Sequence, residues 1–158
     1  MPPEAILDIT KIDQSKIVAT KEQIAQVNPQ RFEFEQLDGI LVMDRENQVV
    51  AGFRDLKPDE FWVRGHIPGR PLFPGVLMIE CAAQLVSYFI LSQQTVHGFL
   101  GFGGVTDVKF RGQVKPGDRL IMMGKMLEMR GKRRCVCQTQ GFVDGQMVFE
   151  GVITGMIL

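Results

Sequence analysis

The sequence predicts an α+β protein in which one curved antiparallel sheet wraps around a single long central helix. Three observations carry that expectation. The stretch "VLMIECAAQLVSYFIL" (76–91) is almost wholly apolar over 16 residues, with Glu80 and Gln84 inside it. Two strand-like runs joined by a short polar turn precede it. Everything after it reads as long strands separated by turn signals. A helix that is apolar nearly all round needs cover nearly all round, and a sheet curved about it supplies most of that cover. The 158 residues, 45% of them hydrophobic, suit one domain spanning 1–158.

Residues 1–15 read as a loosely held N-terminal arm. "TKEQIAQV" (20–27) starts a short helix: Thr20 is an N-cap, Gln23 three residues on completes a capping-box pattern, and Pro29 ends the helix. "LDGILVMD" (37–44) and "QVVAGFRDL" (48–56) are two strands joined by "RENQ". "KPDE" is a loop, and "FWV" a short apolar piece. Then comes "GHIPGRPLFPG" (65–75), and the long helix runs from about Gly75 to Gln94. The strands that follow are "FLGFGGVTDVKF", "RLIMMGKMLEMR", "RCVCQTQGFVD" and "QMVFEGVITGMIL". The turn "VKPGD", the basic turn "GKR" and the hairpin signal Asp144-Gly145 separate them. No internal repeat, low-complexity segment or linker interrupts this order. The outer edge of such a sheet, with the open side of its helix, favours a dimer.

The balance of charge narrows the function. Lys plus Arg and Asp plus Glu are each 18, so the net charge is zero and nothing points to nucleic acid or an anionic membrane. The 16-residue apolar run is shorter than the roughly 20 residues a membrane span needs, and it carries Glu80 and Gln84. The N-terminus lacks the apolar stretch of a signal peptide. Cys81, Cys135 and Cys137 fit buried reduced thiols, and the expected location is the cytoplasm. No second C-x-C or His-x-His completes a metal site.

Two groups carry candidate chemistry. Glu80, Gln84 and Ser87 recur at helical spacing as a narrow polar stripe. A carboxyl in apolar surroundings is costly to ionise and becomes a candidate proton donor; satisfaction by Gln84 or backbone donors is the plainer alternative. His66 lies in a loop whose Pro68, Pro71 and Pro74 fix φ, while Gly69 and Gly75 allow close backbone approach. That loop is stiff enough to hold one imidazole in place. Pro74 and Gly75 open the helix, where free N–H groups and the positive end of the helix dipole can receive a carbonyl oxygen gaining negative charge. His97 reads as a cap at the end of the helix. "RGKRR" (130–134) reads as a solvated turn or, with Arg111, Lys115 and Arg119, as a basic patch for an acidic partner.

The segment "GHIPGRPLFPGVLMIECAAQ" resembles the active-site segment of the 3-hydroxyacyl-[acyl-carrier-protein] dehydratases of fatty-acid synthesis. In that family a Pro-rich strap follows the His, and a Glu or Asp stands fourteen positions after it. His66, Pro74, Gly75, Glu80 and Gln84 fall on the family positions. "FGGVTDVKFRG" and "VKPGD" also resemble family segments, "NPQRF" does so more weakly, and the likeness spans roughly residues 20–157. Gln30 stands where the family has His, "EFEQLDG" replaces apolar residues, and Ile67 and Phe73 replace the strap's usual Phe and Met.

The resemblance implies the hot-dog fold and a homodimer or a higher assembly, a dimer of dimers or a trimer of dimers. It implies that each site combines His66 of one subunit, as base on the α-carbon, with Glu80 of another, as acid on the departing 3-hydroxyl. The Gly75 N–H would bind the thioester carbonyl, and the Leu72 carbonyl would fix the His66 tautomer. Val76, Gln84 and Phe73 complete the implied substrate-binding set. The substrate would be a 3-hydroxyacyl thioester on acyl carrier protein, with no cofactor and no metal. Two other readings stay open on the sequence. One is a thioesterase on the same fold, with Glu80 activating water. The other is a non-catalytic acyl or carrier-protein binding module.

Overall fold

The computed structural model describes residues 1–158. Its elements are β1 (Ala19–Thr20), α1 (Lys21–Ala25), β2 (Gly39–Asp44), β3 (Val49–Asp55), α2 (Gly75–Leu91), β4 (Leu100–Phe110), β5 (Arg119–Arg130), β6 (Arg134–Val143) and β7 (Gln146–Ile157). All seven strands join one antiparallel sheet in the order β1-β2-β3-β5-β6-β7-β4. α2 packs against β3, β4, β5, β6 and β7. This is the hot-dog arrangement that the sequence pattern and the resemblance imply.

Local chemistry explains most of the boundaries. At α1 both capping-box bonds form: the Gln23 N–H donates to Thr20 Oγ1 at 3.2 Å, and the Thr20 N–H donates to Gln23 Oε1 at 2.8 Å. Asp144 and Gly145 both take positive φ, 50° and 76°, as a tight two-residue hairpin turn requires. In the "VKPGD" turn Gly117 has φ 97°, and Asp118 accepts the Lys115 N–H at 3.0 Å.

α2 ends at Leu91, three residues before the expected Gln94, and Ser92 is its C-cap. His97 therefore lies six residues past the last helical residue, exposed in a loop, and does not cap the helix. The buried face of α2 is formed by Met78, Cys81, Ala82, Gln84, Leu85, Val86, Phe89 and Ile90. Each large apolar side chain so buried stabilises the fold by roughly 1.5–3 kcal/mol. The approach of helix and sheet is close at β3: a Cβ on Gly52 would lie 3.1 Å from the Leu85 side chain and 2.8 Å from the Gly39 carbonyl.

The outer face of the sheet has its own small core. Leu41, Ala51, Phe53, Ile121, Met123 and Phe142 cluster there, covered by Ala5, Ile6, Leu7, Ile9 and Ile12. The Ile6 N–H donates to Gln140 Oε1 at 2.8 Å, and Gln140 Nε2 donates to the Glu4 carbonyl at 3.0 Å. The segment expected as a loose arm is thus fastened across β3, β5 and β6. Its alternation of apolar residues with Asp8, Thr10 and Lys11 serves that covering role.

Candidate active site

The loop between β3 and α2 is built by its own backbone. The His66 N–H donates to the Trp62 carbonyl at 2.9 Å, the Arg70 N–H to the Ile67 carbonyl at 2.9 Å, and the Phe73 N–H to the Val114 carbonyl at 2.7 Å. Ile67 has φ 60° and Gly69 φ 80°. For glycine that region is free. For a β-branched residue it is strained by about 1–3 kcal/mol, and strain of this kind gathers at functional sites. His66 Nδ1 lies 2.7 Å from the Leu72 carbonyl oxygen. A carbonyl can only accept, so Nδ1 carries the hydrogen and Nε2 of the neutral ring keeps its lone pair.

Pro74 provides no side-chain cap to α2, and the amides of Gly75 and Val76 have no intrahelical partner. These free donors lie at the positive end of the helix dipole. The absence of a side chain at Gly75 is needed there, since a Cβ would stand 2.7 Å from the Phe110 ring. Val76 is 72% exposed on the open side of the helix. Phe73, expected at the substrate, is 3% exposed and packs against Trp62, with the rings tilted by 60° and their centroids 5.3 Å apart.

Glu80 is held by side chains instead. Its Oε1 accepts from Gln84 Nε2 at 2.8 Å. The same Nε2 donates to the Phe34 carbonyl at 2.6 Å, and Gln84 Oε1 accepts the Gln36 N–H at 2.9 Å. Asn28 Nδ2 donates to the Gln84 carbonyl at 3.0 Å. Glu80 lines a groove of about 180 Å³ together with Gln30, Gln84, Ser87, Phe99 and Phe102. His66 does not line that groove. Sequence reasoning missed Asn28, Phe34 and Gln36, and no local pattern marks them: Gln36 sits in the acidic segment "EFEQLDG" and is buried only by the fold.

Of the basic residues singled out, Arg111 is paired with Glu150 at 2.6 Å and Arg119 with Asp55 at 2.7 Å. Arg130 and Arg134 both face Glu128. Lys115 is exposed and shares a surface groove with Arg70. The three cysteines are free and buried, and burial pushes the Cys81 thiol up to about 12. No helix is long and apolar enough to cross a membrane.

Comparison with known proteins follows the same outline. A family model described as FabA-like domain matches residues 28–152. The chain is 34% identical over 137 residues to 3-hydroxyacyl-[acyl-carrier-protein] dehydratase FabZ of Bacillus pumilus, covering 84% of this chain and 92% of that protein. Two solved structures are similar in fold. The dehydratase heterocomplex ApeI:P from Xenorhabdus doucetiae superposes with a TM-score of 0.73 at 12% identity, over 85% of this chain and 90% of that one. A hypothetical thioesterase protein with coenzyme A from Streptococcus pneumoniae superposes with a TM-score of 0.63 at 14% identity, over 88% and 97%. With a family model spanning residues 28–152 and a curated relative matched over nearly all its length, the chain belongs to the FabA-like family of 3-hydroxyacyl-[acyl-carrier-protein] dehydratases.

Proposed function

We propose that the protein dehydrates 3-hydroxyacyl thioesters carried on acyl carrier protein to trans-2-enoyl thioesters in fatty-acid biosynthesis. The observation that carries this reading is the 2.7 Å contact of His66 Nδ1 with the Leu72 carbonyl. It leaves Nε2 as a base aimed out of a rigid loop whose far end is the open N-terminus of α2. A thioester carbonyl bound by the Gly75 N–H gains enolate character as His66 Nε2 removes the α-proton. The 3-hydroxyl then leaves as water, with its proton supplied by Glu80, and the Cα–Cβ double bond forms.

The working site combines His66 of one subunit with Glu80 of another. Two features support this. The groove at Glu80 is lined by β4 and β7 and not by His66. Strand β4 is a sheet edge paired only to β7, and its exposed face carries Phe102 and Phe110 beside the open face of α2. An exposed apolar edge of this length is suited to pairing with a second copy. The carrier protein is acidic, and Lys115 and Arg70, with Lys132 and Arg133 at the β5–β6 turn, are cations without an ion-pair partner that suit steering it. The location that fits is the cytoplasm.

The deciding assay offers 3-hydroxyacyl carrier-protein substrates of varied chain length and identifies the product by mass. A trans-2-enoyl thioester is expected. Free acid and free thiol would replace this reading with a thioesterase, and binding without turnover at every length would replace it with a binding module.

A further inference from the structure

Arg54 is the one charged side chain buried in this protein, at 7% exposure. It lies on β3, remote in sequence from both His66 and Glu80. A buried guanidinium is tolerated only where its donors are matched, and Arg presents those donors in a planar fork that reaches two directions at once. In one direction Arg54 pairs with Glu60. Glu60 Oε1 also accepts the Trp62 indole N–H at 3.1 Å, and Glu60 Oε2 accepts the Lys57 N–H at 2.7 Å. Trp62 packs with its ring tilted against Phe73, over which the guanidinium lies 5.9 Å from the ring centre. The Trp62 carbonyl takes the His66 N–H at 2.9 Å, and Leu72, beside Phe73, takes Nδ1.

In the other direction Arg54 Nε approaches Gln36 Oε1 at 3.4 Å. Gln36 is fully buried, and its N–H holds Gln84 Oε1, whose amide holds Glu80. Asp38, 3.7 Å from Arg54 and 3.8 Å from Lys21, completes the charges around the guanidinium.

We infer that Arg54 is a positioning residue for both reacting groups, reaching His66 through Glu60 and Trp62 and reaching Glu80 through Gln36 and Gln84. The inference rests on the base and acid roles proposed above. With His66 and Glu80 of one chain serving different sites, a single Arg54 holds one component of each.

The test uses the full chain in its native assembly. Arg54→Lys keeps the charge and loses the fork. Trp62→Phe keeps the ring and loses the indole N–H. Gln36→Met fills the same space and loses the contact with Nε. Turnover of a 3-hydroxyacyl carrier-protein substrate is measured against pH, with melting temperature and sedimentation as controls. Arg54→Lys should lower kcat about 10- to 100-fold with KM within about twofold. Both limbs of its pH–rate profile should move. Trp62→Phe should move only the acid-side limb, set by the base, and Gln36→Met only the alkaline-side limb, set by the acid.

Wild-type kcat and limbs in a folded Arg54→Lys would overturn the inference. So would single-arm variants that move neither limb or both, and these decide the matter if Arg54→Lys does not fold. His66→Ala and Glu80→Gln are run alongside. Activity in either defeats the acid–base reading itself, whereas inactivity in both with normal Arg54, Trp62 and Gln36 variants defeats the positioning role alone.

Discussion

His66 and Glu80 flank the same helix start, fourteen residues apart, and are held in opposite ways. The proposed base, His66, is set by the backbone of its own loop: the Trp62 carbonyl, the Leu72 carbonyl and the positive φ of Ile67 and Gly69 all lie within six residues of it. The proposed acid, Glu80, is set by the Gln84 side chain, which reaches 48 and 50 positions back to Gln36 and Phe34. A group held by backbone feels a side-chain substitution only through the loop that carries it, as through Trp62. An acid held by a relay of amides is open to damage at each link.

Substituting the two groups themselves should have the largest effect. His66→Ala and Glu80→Gln should each lower kcat about 10³-fold, as general acid–base groups do, with unchanged melting. Mixing the two inactive variants sharpens the contrast. If base and acid come from different subunits, each mixed dimer regains one intact site, and re-association should return about a quarter of the native rate. No recovery would place both groups in one chain.

Gln84→Leu breaks the acid's relay. It strands the Phe34 carbonyl and the Gln36 N–H, at a cost of about 1–3 kcal/mol for each buried group, and kcat should fall by about tenfold or more. Denaturant melts and initial rates check both parts. Gly75→Ala presses a methyl into the Phe110 ring and should cost about 1–3 kcal/mol. In a Phe110→Ala background the same change should cost little, the ring's own packing on Phe149 being lost in both chains. An undiminished cost of Gly75→Ala in that background would show that the glycine answers to something other than the ring. Gln140→Ala, far from both groups, should cost about 1 kcal/mol by releasing the arm and leave turnover unchanged.

The same contrast governs what could be read in advance. Turn chemistry and apolar runs are local, so the hairpins at 45–48 and 144–145, the turn at 114–118 and the body of α2 were legible; the contact of His66 Nδ1 with the Leu72 carbonyl also lies within one loop. The helix end was less so, because Ser92 and Gln93 lack a Gly or Pro stop. Phe73 was placed at the substrate by resemblance; its burial against Trp62 and Arg54 depends on contacts that no local pattern ties to it. Gln36 and Asn28 looked like loop polar residues. Only the fold brings them beneath Gln84.

The fastening of the arm has a consequence for how the protein is made. Ile6 pairs with Gln140, 134 positions later. Chains are synthesised at about 5–20 residues per second, so the outer face of the β2–β3 hairpin waits on the order of ten seconds for the strand that anchors its cover. Through that interval the arm that covers Leu41, Ala51 and Phe53 lacks its Gln140 anchor, and the cover is held by apolar contact alone.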